Sequence, residues 1–140
     1  MTAMNHEYYV SSEIAKLLKE AGFDWKCRKC YNKGVLFDME PDEIRAQTPQ
    51  HSSYDVLAPT LEVAQRWLRE VKNCQVEIMY MYDKYGINIG KYVVIYTVQD
   101  RIHESLVDEE SEQPIKLFEV YEKAQEAGIK KCLDVLLEEE

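Results

Sequence analysis

The chemistry-capable side chains of this chain are few and scattered. Four cysteines stand at Cys27, Cys30, Cys74 and Cys132, and three histidines at His6, His51 and His103. The Cys27-x-x-Cys30 spacing suits half of a zinc site, but structural zinc needs a second close pair of ligands. The remaining cysteines and histidines are isolated in sequence. A thioredoxin-type pair needs its first cysteine at a helix N-terminus, where the dipole lowers the thiol pKa. Cys27 instead follows a helical pattern and enters a strand-like one, so both cysteines are expected to be structural. His51-Ser52-Ser53 with Asp55 holds the ingredients of nucleophilic catalysis. Neighbours in sequence rarely reach triad geometry, however, and in a proline-bounded loop they hydrogen-bond locally. His103, beside Glu104 in an acidic connector, reads as a solvated histidine. Gly86-Ile87-Asn88-Ile89-Gly90 lacks the ending of a phosphate-binding loop and precedes a strand. No catalytic, cofactor-binding or metal-binding residue is therefore expected, and no cofactor.

The most informative feature is a tyrosine-rich hairpin. Of ten tyrosines, Tyr80, Tyr82, Tyr85, Tyr92 and Tyr96 fall between positions 75 and 98. Tyrosine combines a large apolar body with one polar tip at low entropic cost, which enriches it at interfaces. Met79 and Met81, on the opposite face of the first strand, add an adaptable surface. Apolar side chains occupy both alternating sets of the return strand, Tyr92, Val94, Tyr96, Val98 and Val93, Ile95. A sheet with one wet face alternates apolar with polar, so this hairpin is expected to be covered on both sides, by helices or by another subunit. Met79, Tyr80, Met81, Tyr82, Tyr85, Tyr92 and Tyr96 are the candidate interface.

The elements that must position these residues follow from capping and periodicity. Ser11 or Ser12 caps a first helix, Ile14, Leu17, Leu18 and Ala21 form its stripe, and Gly22 stops it. A short hairpin follows at 26–31 and 34–38 around Asn32-Lys33-Gly34. Residues 39–59, with Pro41, Pro49 and Pro59, read as a long loop with a short helical turn near 42–46. Thr60 caps a second helix with Leu61, Ala64, Trp67, Leu68 and Val71 as its buried face. The tyrosine hairpin occupies about 75–82 and 87–98, and residues 100–115 form an acidic connector. A last helix runs from Leu117 or Val120 to Leu137. Its seam is Tyr121, Ala124, Gly128, Cys132 and Val135, widened by Ile129, Leu133 and Leu136. The expected fold is α+β in the order α-β-β-α-β-β-α, an antiparallel sheet with helices mainly on one face. Residues 1–140 form one expected domain, frayed at 1–9 and 138–140. Ile14–Asp38 and Val63–Val98 share a weak helix-plus-hairpin repeat.

Composition narrows the partners. The chain has 140 residues, a net charge of -9 and 46% hydrophobic residues. A nucleic-acid surface requires a basic face to release counterions, and anionic lipid requires the same. Most of the negative charge lies in the second half of the chain. The basic stretch Lys26, Arg28, Lys29 and Lys33 is expected to be paired or solvated. No apolar run approaches the roughly 20 residues of a membrane span, and no export signal is visible, so a cytoplasmic location with reduced thiols is expected.

The stretch Ser11-Ser12-Glu13-Ile14-Ala15-Lys16-Leu17-Leu18-Lys19-Glu20-Ala21-Gly22-Phe23-Asp24 resembles the opening of small uncharacterised proteins of prophages and mobile elements from gut bacteria. Ala58-Pro59-Thr60-Leu61 leading to Trp67-Leu68-Arg69-Glu70 is similar to their middle helix, and Tyr121-Glu122-Lys123-Ala124 through Ala127-Gly128-Ile129 to their closing one. The resemblance implies no activity, cofactor or catalytic residue. The first functional expectation is a non-enzymatic protein-interaction module, self-associating through the Tyr/Met hairpin, with a homodimer as one form. An acidic inhibitor of nucleic-acid-binding proteins is the second, and a small metal-dependent or hydrolytic enzyme using Cys27, Cys30 or His51 the third.

Overall fold

The structure, a computed structural model, describes residues 8–45, 55–82, 88–99, 101–103 and 117–138. It divides into two compact units, Met1–Trp67 and Leu68–Glu140. The fold is α+β, with the expected helices and hairpins in the expected order. Three short elements join them, and the strands form two antiparallel sheets rather than one.

In the first unit, α1 (Ser12–Glu20) begins where the Ser11 hydroxyl accepts from the Ile14 N–H at 3.2 Å. It ends in a Schellman motif: Gly22 at φ +96° lets the Phe23 N–H reach the Leu18 carbonyl and the Gly22 N–H reach that of Lys19. The buried stripe is Ile14, Ala15, Leu18 and Ala21, while Leu17 is only half-buried. The helix is therefore rotated toward Ala15 from the face that spacing alone selects. The hairpin pairs β1 (Lys29–Asn32) with β2 (Val35–Asp38), Asn32 opposite Val35. Its two-residue turn places both Lys33 (φ 54°) and Gly34 (φ 82°) in the left-handed region, the pattern that matches strand twist.

The proline-rich stretch after this hairpin is not loop throughout. It contains α2 (Pro41–Arg45) and β3 (Asp55–Leu57), and β3 pairs with β1 to give the strand order β2-β1-β3. Residues 46–54 lie outside the described residues. Tyr8 and Tyr9, expected to fray, are instead held in place. Tyr9 bridges Thr60, the Leu61 N–H donates to Tyr8, and the Val10 N–H donates to the Pro59 carbonyl. The Tyr31 hydroxyl adds a bond to the Val10 carbonyl at 2.7 Å.

The second helix, α3 (Leu61–Val71), starts with the Thr60 hydroxyl accepting from the Val63 N–H, and the division between units falls within it. Leu61, Ala64, Trp67 and Leu68 are buried as expected. Val71 is 51% exposed, because the helix ends there and the chain turns off two residues later at Asn73, where φ is +56°.

The second unit is built on β4 (Cys74–Tyr82), β5 (Asn88–Val98) and β6 (Arg101–His103), in that order across the sheet. Val76 faces Tyr96, Ile78 faces Val94 and Tyr80 faces Tyr92, with an irregularity between Tyr80 and Tyr82. His103, expected in the acidic connector, is a strand residue paired with Tyr96. The rest of the connector lies outside the described residues.

The closing helix α4 (Tyr121–Glu138) packs on β4 and β5. It approaches the sheet tightly at Gly128, where a Cβ would meet Val76 Cγ1 at 2.6 Å and Val94 Cγ2 at 2.8 Å. The seam is Ala124, Gly128, Ile129, Cys132, Leu133 and Leu136, with one buried polar member, Gln125. Tyr121 and Val135, expected in the seam, are 38% exposed and half-buried respectively. The helix-plus-hairpin likeness of the units stops at the third strand. The central strand is β1 in one sheet and β5 in the other, the first and second strands of their hairpins.

Candidate functional site

The register of β4 and β5 sorts the candidate interface residues onto two faces. Cys74, Val76, Ile78 and Tyr80 share the α4 face with Tyr92, Val94, Tyr96 and Val98, whereas Met79 lies on the other face opposite Val93. Tyr96 is 8% exposed and belongs to the core rather than to a surface. Burial, together with the negative charges of Asp134 and Glu138 on α4, pushes its phenol above the ordinary value. Met81 and Tyr92 are half-buried, and Met79 and Tyr80 are exposed. Tyr82 pairs with Asn88 at the turn end of the hairpin. Tyr85 lies outside the described residues.

At the far end of the α4 face the aromatic rings form a corner. Tyr80 lies against Tyr92 at 4.8 Å between ring centres, and Tyr92 meets Tyr121 edge-on at 5.7 Å. Edge-on and offset pairs satisfy the ring quadrupoles and are worth about 0.5–1.5 kcal/mol beyond the area they bury. The chain entering α4 is fixed to the same place, because Phe118 and Tyr92 exchange both backbone hydrogen bonds, at 2.7 and 2.8 Å. Beside it Lys91 Nζ binds Glu119 at 2.5 Å and holds that carboxyl below its usual range. Leu117 at 40%, Val120 at 46%, Tyr121 at 38% and Tyr80 at 39% exposure leave the corner open to solvent. A groove of about 480 Å³ continues from it along α4, lined by Leu117, Phe118, Val120, Lys123, Glu126 and Ala127. Leu117, Val120 and Tyr121 are interface candidates that spacing alone missed. Tyr121 sits at a seam position of the helix pattern, and its exposure follows from where α4 begins.

The thiols behave differently from what C-x-x-C spacing suggests. Cys27 and Cys30 are buried and in no disulfide; the Cys27 thiol donates to the Trp25 carbonyl, and burial pushes its pKa up to about 12. A redox nucleophile needs the opposite shift. The thiols that share a hydrogen bond are Cys74 and Cys132, 1% and 0% exposed. That bond, and then burial, raises the Cys132 thiol above its ordinary value. No local signal marks this pair, which is made by the docking of α4.

The basic stretch is partly neutralised within its own unit. Lys29 pairs with Asp38 and lies 5.2 Å over the Tyr9 ring, and Arg66 lies 5.0 Å over that of Trp25. A cleft of about 630 Å³ between Arg28, Asp38, Met39, Pro41 and Ile44 contains one acid and one base. Neither group has a nucleophile beside it among the lining residues. His51, Ser52 and Ser53 lie outside the described residues. Among the described residues no three His, Cys, Asp or Glu side chains gather around one point as metal ligands would. No helix among them is long and apolar enough to cross a membrane.

What these residues offer is a surface, with an aromatic corner opening into a groove of mixed charge. Comparison with protein families, with curated proteins and with solved structures finds no match to the chain.

Proposed function

We propose that this protein is a non-enzymatic interaction module that self-associates through the aromatic corner of its second unit. The observation that carries the reading is the ring cluster Tyr80–Tyr92–Tyr121, with Leu117 and Val120 exposed beside it. Scattered surface hydrophobes are ordinary, but a rigid group of aromatic and aliphatic side chains at one place marks an interaction site. The partner we assign is a second copy. Around the corner and its groove, Lys91, Lys123 and Lys130 alternate with Glu119, Glu126 and Asp134. A two-fold interface joins a patch to itself, and a rim of both signs is self-complementary in a way that a single-sign rim is not. We also assign the chain to phage or mobile elements, on the helix motifs by which it resembles their small proteins.

Light scattering on size-separated protein, with circular dichroism as a fold control, tests the reading. Tyr80→Glu and Tyr121→Glu place a charge on exposed ring positions, so the fold should persist while the associated species falls at least tenfold. Variants that stay folded and associate like the parent would remove this interface.

A further inference from the structure

The second unit holds two cysteines in contact that are distant in sequence. Gly128 of α4 rests against Val76 of β4. One helical turn further along α4 is Cys132, and two residues back on the same face of β4 is Cys74. Strand and helix periodicity thus bring the two thiols together at the floor of the core. The Cys74 Sγ–H donates to the Lys72 carbonyl at 3.5 Å, so the proton in the shared hydrogen bond comes from Cys132. In the closed state both thiols are shielded from solvent and protonated.

Access comes from the end of α4. Cys132 lies in its C-terminal half, the last turn carries no basic residue, and the helix ends on Glu138, an acid against the dipole. Helix ends of this kind open locally at far lower cost than the whole domain unfolds.

We propose that Cys74 and Cys132 form a reversible intrachain disulfide, made by hydroperoxide during opening of the end of α4, which then fastens that helix to β4. As the last turns open, Cys132 loses its burial and its Cys74 contact and ionises. Its thiolate attacks hydrogen peroxide, forming an S–O bond as the O–O bond breaks. The departing hydroxide takes up a proton and leaves as water. Cys132 is then a sulfenic acid, and on reclosure the Cys74 sulfur attacks it. The S–S bond forms, the S–O bond breaks, and the Cys74 proton leaves with the hydroxyl as a second water. One peroxide is reduced to two waters for each pair of thiols oxidised, and a dithiol restores the reduced state.

The test uses the full-length wild-type chain, treated with hydrogen peroxide and alkylated, then mapped by mass spectrometry without reduction. Expected are a peptide joining Cys74 to Cys132, a mass lower by two hydrogens, and a higher thermal midpoint that dithiothreitol reverses. The proposal is overturned if both cysteines are recovered unlinked, singly over-oxidised, or joined to Cys27, Cys30 or a second chain. It is also overturned if the linked protein melts no higher than the reduced one. Neither readout depends on self-association, so failure here is separate from failure of the aromatic corner.

Discussion

Gly128 is the residue on which the second unit's packing turns. Its missing side chain lets α4 approach the sheet until valine methyls occupy the space where a Cβ would stand. Gly128→Ala should destabilise the protein by about 1–3 kcal/mol, the usual cost of overpacking, seen as a lower urea midpoint at unchanged slope. Replacing an exposed helical glycine by alanine gives the opposite sign, a gain of up to about 1 kcal/mol, so the direction alone discriminates. Cys27 supplies a second test at this scale. Its folded pKa of about 12 lies above the ordinary thiol value of 9.0, so the unfolded chain releases this proton first as pH rises. The stabilisation is complete below about pH 9 and is lost as pH climbs toward 12. Cys27→Ala should therefore flatten the fall in stability between pH 9 and 10.5, with denaturant midpoints measured at each pH. Cys132 titrates in the same direction, so part of the slope remains.

Among the elements, α1 and α3 were the most legible in sequence, because their limits are set locally. A serine or threonine hydroxyl at each start and Gly22 at one stop satisfy backbone groups within a few residues. Ser11→Ala should cost about 1 kcal/mol. Gly22→Ala should cost about 1–2 kcal/mol, from the left-handed φ. Thermal unfolding of each variant is the measurement. The Asn32–Gly34 turn was legible for the same reason. What escaped were β3 and β6, three residues each; β3 takes its backbone bonds from β1, well before it in the chain, and β6 from β5 immediately before it. Periodicity over three residues carries no signal. The exposure of Val71 and Tyr121 escaped because a helical stripe predicts a face and leaves open where along the helix its cover ends. The thiol pair was invisible for a related reason, since only the docking of α4 on β4 makes it.

At the scale of the whole molecule, the charge of -9 and the aromatic corner oppose each other. Two copies brought together repel through their net charge while the apolar corner attracts. Screening shortens from about 30 Å at 0.01 M salt to about 8 Å at 0.15 M. Association should therefore tighten as salt is raised over this range, as sedimentation at several ionic strengths would show. An acidic surface acting on basic partners requires the reverse dependence. The candidate interface was half visible in the composition. The tyrosines of the hairpin were evident, but the fold buries Tyr96 and brings Leu117, Val120 and Tyr121 to the same end. The most direct measurement is sedimentation equilibrium of the full-length chain over a wide concentration range at 0.15 M salt. Self-association predicts an average mass rising with concentration from 16.5 kDa toward twice that value; a mass fixed at 16.5 kDa throughout would contradict it.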